Sequence, residues 1–151
     1  MGFLNSIDVS ASGLTAQRLK MDTIASNMAN VETTQVNGGK GPYRRQVVVF
    51  EAQSSNKTAG SFNSILENEI TTQAGVRVKE IRELSETEAP YRKVYEPSHP
   101  DADAEGYVNY PNVNIVEEMI NMISSTRAYE ANAKVIEATK SMALRALDIG
   151  R

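Results

Sequence analysis

The chain has 151 residues, 40% of them hydrophobic and 23% charged, with a formal net charge of −3. That suits one domain, or one domain with extensions, and excludes a chain disordered by composition. The absence of cysteine removes disulfides, thiol nucleophiles and cysteine metal sites together, and no Lys/Arg block provides the footprint of a nucleic-acid binder.

The start, Met1-Gly-Phe-Leu-Asn-Ser6, lacks a basic segment followed by an apolar core, so no cleaved secretory signal is expected. Met1, Gly2 and Ser6 fit the short myristoylation pattern, but a frayed terminus explains them as well. No run approaches the ~20 apolar residues of a membrane helix.

From about Ser6 to Val31, apolar residues recur every seven positions: Ile7, Leu14, Met21 and Met28. Such a repeat keeps one seam of a helix against a partner helix. Ser6 is a good N-cap, with Asp8 expected in the first turn. Gly13 inside the pattern costs about 1 kcal/mol against alanine, so it is either tolerated or approached by a neighbouring helix. Asn27 and Asn30, beside Ala25 and Ala29, have two readings. Their amides fix register across a helix interface, or they mark a helix end drifting into a loop. Thr33 and Thr34 end the element, and Asn37 to Pro42 is a loop.

The middle is punctuated by Gly and Pro. Arg45 to Phe50 is a β-branched and aromatic run of strand length. Ser54 to Ser64 is small and polar, a loop or insertion. Val76 to Lys79 alternates apolar and basic as a half-exposed strand does, and Tyr91 to Val94 is a candidate third strand. Glu96 to Tyr110, with Pro97, Pro100, Gly106 and three acids, reads as an extended loop without regular structure. Arg44 and Arg45 suit an acidic partner, although such a pair is usually solvated.

A second helix follows Pro111. Asn114 caps it, with Glu117 three residues on as in a capping box. Glu117 and Glu118 sit at the positive end of its dipole, Lys134, Lys140 and Arg145 lie towards the negative end, and Gly150 stops it. The sevenfold repeat returns as Ile115, Met122, Tyr129, Ile136 and Ala143. The expected fold is therefore α+β: two long terminal helices packed as an antiparallel coiled-coil-like pair around a small, irregular β-rich middle. The expected divisions are 1–34, 35–110 with a loop insertion near 52–74, and 111–151.

The second helix has another small or apolar stripe, Ala128, Ala131, Val135, Ala138 and Met142, far round the cylinder from Tyr129 and Ile136. One partner helix cannot cover both sides, so we expect assembly through both stripes together with Asn27 and Asn30.

Catalysis finds little support. His99 is the sole histidine, too few strong ligands for a zinc site. Asp101 to Glu105 lacks the length and glycine of an EF-hand loop and reads as a solvated acidic loop. Neither a Gly-x-Ser-x-Gly elbow nor a P-loop is present; Gly38-Gly-Lys-Gly-Pro42 lacks the required Ser/Thr. No catalytic residue, cofactor or metal is expected.

Ala11-Ser-Gly-Leu-Thr-Ala-Gln-Arg18, Asp22, and Ala25-Ser-Asn-Met-Ala-Asn-Val-Glu-Thr33 resemble the N-terminal signature of bacterial flagellar rod and hook proteins. Gly41 to Phe50, Tyr95 to Val108, Pro111 to Met119, Arg127 to Asn132 and Lys140 to Met142 are similar to proximal-rod members of that family, while 52–74 departs from its pattern. The resemblance implies a periplasmic subunit of the flagellar drive shaft. Its terminal helices would line an export channel, with the β-rich middle outside them. It implies export by the flagellar type III apparatus without signal cleavage. The implied partners are further copies, neighbouring rod proteins, the basal-body rings and the export gate, with no nucleic acid and no direct membrane insertion. The competing expectation is a soluble helical adaptor that binds one partner through its amphipathic helix pair.

Overall fold

A computed structural model describes residues 3–36, 41–53 and 75–149. Helix α1 spans Phe3–Ala29, strands β1 and β2 span Gln46–Gln53 and Gly75–Glu83, β3 and β4 span Arg92–Tyr95 and Tyr107–Tyr110, and helix α2 spans Ile115–Ile149. β1 pairs with β2 in one two-stranded sheet and β3 with β4 in another. This is the expected α+β arrangement. The expected insertion falls mostly on 54–74, outside the described residues.

The described chain forms two compact units. One takes 3–19, 50–53, 75–79 and 126–149; the other takes 20–36, 41–49 and 80–125. In the first unit α1 and α2 meet at Gly13, where an added Cβ would lie 3.1–3.3 Å from the side-chain amide of Asn132. A helix therefore does approach there, and glycine permits the closeness. The Val76 N–H donates to Ser12 Oγ at 3.0 Å, attaching the start of β2 to α1.

In the second unit the helices meet again at Asn27 and Glu118. The β3–β4 hairpin belongs to this unit and is antiparallel, with Val94 opposite Val108 and Tyr95 opposite Tyr107. Alternation sends Val108 inward, 1% exposed, and leaves the tyrosines outside.

Several sequence expectations are corrected. Helix α1 begins at Phe3, so Ser6 is interior and Asp8 lies beyond the first turn; the permissive residues before Ser6 carry the helix back past its candidate cap. The stretch read as an extended loop ends in β4. Asp103 makes that possible, because its Oδ1 accepts the N–H groups of Glu105 and Tyr107 at 3.0 and 2.9 Å and turns the chain back. Gly106, at φ +83, completes the reversal.

Asn114 does cap α2, its Oδ1 accepting from the Val116 and Glu117 N–H groups, but the Glu117 carboxylate takes Arg45 as its partner. The tightest helix seam also differs. On α2 the buried positions are Glu118, Ser125 and Thr139, and on α1 they are Ser10, Ala16, Thr23, Ile24 and Asn27. Ile7, Leu14, Met21, Met28, Met122, Ile136 and Ala143 are half-buried beside this seam, whereas Ile115 and Tyr129 are exposed.

Candidate functional site

The inward line of α2 is polar, at sevenfold spacing: Glu118, Ser125, Asn132 and Thr139. Three of these satisfy themselves on their own helix. Ser125 Oγ donates to Asn121 O at 2.8 Å, Asn132 Nδ2 to Ala128 O at 2.9 Å and Thr139 Oγ1 to Val135 O at 2.6 Å. With their polar atoms turned back onto the helix, these short side chains pack closely without an unsatisfied group.

Glu118, 1% exposed, is satisfied from elsewhere. Arg45 donates to its Oε1 through Nε at 2.8 Å and through a terminal nitrogen at 2.5 Å, and the same nitrogen reaches Glu117 Oε1 at 3.0 Å. Burial alone lowers the Arg45 pKa, but the hydrogen bonds and charges of Glu117 and Glu118 overcome it and the net direction is upward. Arg45 is thus the built-in counter-ion of the α2 N-terminus, not a solvated cation. Arg44 is engaged too, its guanidinium 5.2 Å from the Tyr91 ring centroid.

Asn27 is the second half of this cluster. Its Nδ2 donates to Gln46 O at 2.8 Å and to Glu118 Oε2 at 3.3 Å. Its Oδ1 accepts from Gln46 N–H at 2.9 Å and Tyr43 O–H at 3.0 Å. Both donors and both acceptor positions of the amide are used. Asn30 behaves differently and stays local, bonding Ser26 O and Thr33 Oγ1.

The acidic loop is bonded to its neighbours. Asp101 accepts from Thr34 Oγ1 at 2.6 Å and from Gln35 Nε2, and its N–H donates to His99 Nδ1 at 3.1 Å. Its carboxylate ties two segments together and is not simply solvated, which corrects the expectation. No group of three or more metal-binding side chains occurs among the described residues.

What remains is the outer surface of α2. Val116, Met119, Ile120 and Ile123 follow the i, i+3, i+4, i+7 spacing of one helix face and are all exposed, Val116 at 65% and Ile120 at 62%. They lie roughly opposite Glu118 on the helix. Sequence reading missed these four. Counting sevens from Ile115 passes over them, although the local spacing was there to be read. Of the expected interface residues, Ile115, Tyr129, Ala131, Val135, Ala138 and Met142 are exposed and Ala128 is half-buried. Asn27 is consumed within its own chain. A patch of several large apolar side chains on one face marks an interaction surface.

Comparison with known proteins agrees with this picture. Residues 7–35 match the family described as "Flagella basal body rod protein", and residues 104–149 match "Flagellar basal body rod FlgEFG protein C-terminal". The chain is 45% identical over 156 residues to the flagellar basal-body rod protein FlgC of Bacillus subtilis, covering all of both chains. It is 47% identical over 155 residues to that of Borreliella burgdorferi, covering 99% of this chain and 98% of the relative. The Escherichia coli O6:H1 protein is 38% identical over 151 residues, again covering all of both. With such identity sustained from end to end, the chain belongs to the FlgC family of flagellar basal-body rod proteins.

Proposed function

We propose that the chain is a structural subunit of the flagellar basal-body rod, joining further copies and neighbouring rod proteins through its terminal helices. The observation that carries this reading is the exposed Val116, Met119, Ile120 and Ile123 face of α2. Burying a side chain of this size stabilises an assembly by roughly 1.5–3 kcal/mol, and the same face gains nothing from being left in water. Val135 and Met142, exposed further along α2 among Ala131 and Ala138, extend the adhesive surface.

A helix 35 residues long, held inside by its polar seam and outside by neighbours, spreads torque over many small contacts. In this reading the helices enclose the export channel and the strands lie outside them. The subunit reaches the periplasm through the flagellar export apparatus without signal cleavage, and the basal-body rings and export gate are its further neighbours.

The test is Ile120→Glu, alongside Ala131→Glu and Ala138→Glu. Each variant is expected to be exported and soluble but absent from isolated basal bodies, and its cells not to swim. Normal swimming with the Ile120→Glu protein would refute the assignment of this face to assembly.

A further inference from the structure

We propose that the β3–β4 hairpin is a docking knob for a second copy of this chain, seating Tyr95 and Tyr107 on the outer face of the copy's α2 beside Ile123 and Arg127. The inference rests on the rod-subunit reading and identifies one partner of its helix face.

Two large rings stand in water on this hairpin, Tyr95 at 61% and Tyr107 at 41% exposure. They are held edge to face, with centroids 5.3 Å apart and planes at 65°. Gly106 fixes them further: a Cβ there would come within 2.9 Å of Tyr95 Cε2, so the ring lies directly against bare backbone. Folding gains little from aromatics placed this way. Binding gains much, because rigid tyrosines lose little entropy on contact and dominate the energetics of interfaces.

Charge selects the occupant. Next to Tyr107, at the hairpin tip, Glu105 is exposed and its carboxylate joins no ion pair among the described residues. The α2 face offers the complement. From Val116 the steps of four, three and four residues lead through Ile120 and Ile123 to exposed Arg127. An arginine beside an apolar stripe can stack on a tyrosine face and pair with the tip carboxylate at once. On the hairpin's same outer side Lys93 is exposed, and on α2 exposed Glu130 follows Arg127, so each surface carries one acid and one base. The two surfaces are different patches of one chain. Their contact is therefore heterologous, the kind that builds rings or helical filaments.

The native chain has no cysteine, which makes cross-linking clean. Basal bodies isolated from cells carrying Glu105→Cys/Arg127→Cys protein, treated with a mild oxidant, are expected to yield disulfide-linked dimers and larger products of this chain. Each single-cysteine variant should stay monomeric on a non-reducing gel. Only intrachain product, linkage to a different rod protein, or no product would overturn the proposal. As a second measurement, Glu105→Lys and Arg127→Glu should each cut swimming-zone diameter at least twofold, and the combined variant should restore it; failure of the combined variant to recover would also overturn it. The Ile120→Glu result judges the rod reading separately. Loss of assembly there, with no interchain disulfide here, would leave the subunit role standing and remove only this partner.

Discussion

The two sides of α2 invert the usual order. Its inward line is Glu118, Ser125, Asn132 and Thr139, buried except for the half-buried Asn132, while Val116, Met119, Ile120 and Ile123 face water. In a free-standing protein the apolar side would turn inward. Here the inner side uses directional bonds and short side chains, and the apolar area stays exposed. In the proposed rod reading the contrast separates two tasks: polar geometry sets how the helices of one subunit meet, and apolar area sets how strongly subunits adhere.

The inner side should break most severely at its charge. Glu118→Ala leaves Arg45, itself only partly exposed, without its main partner. Removing one member of a buried pair costs about 3–5 kcal/mol, which we expect as a fall in the denaturant midpoint of the purified chain. Ile120→Glu, by contrast, should move that midpoint by no more than about 0.5 kcal/mol equivalent. Equal effects of the two substitutions would erase the distinction between the faces.

A smaller loss is expected at Asn27→Ala, which strands both backbone groups of Gln46 and leaves the Tyr43 hydroxyl only its longer bond to Ser26. Unsatisfied buried groups cost about 1–3 kcal/mol. Hydrogen exchange should report it as faster exchange at Gln46, with α2 beyond Thr126 little changed.

The smallest effect belongs to the turn that follows β2. The Glu88 carboxylate accepts from the Ser85 N–H and hydroxyl and from Arg82, which lower its pKa from the usual 4.5. A lowered acid stabilises the fold above its unfolded pKa, and that contribution fades as pH falls through the folded value. Glu88→Gln should therefore lower stability slightly at neutral pH and flatten the slope of stability against pH below about 4.5, so that the two proteins converge in acid, as acid titration of both would show.

Much of this was legible in the sequence. The sevenfold repeats announce paired terminal helices, and Asn114 announces the start of α2 by a local bond to Val116. Gly13 raised two possibilities that the nearness of Asn132 decides. The polar seam was not legible, because a search for apolar spacing discards serine, asparagine and threonine, and their burial depends on bonds to their own helix. Nor was the role of Arg45, whose partners lie 72 and 73 positions away. Strand β4 escaped notice because Asp103 makes its turn with a side chain, in a stretch whose prolines and acids read as loop.

Asn27 also has a consequence for how the chain comes together. By giving and receiving one bond each with the backbone of Gln46, its side chain stands in for a neighbouring strand at the head of β1. The sheet thus borrows its first rung from the end of a helix, and the same amide touches the start of the other helix through Glu118. None of these three pieces can settle alone, so this corner should form and melt as a single cooperative event.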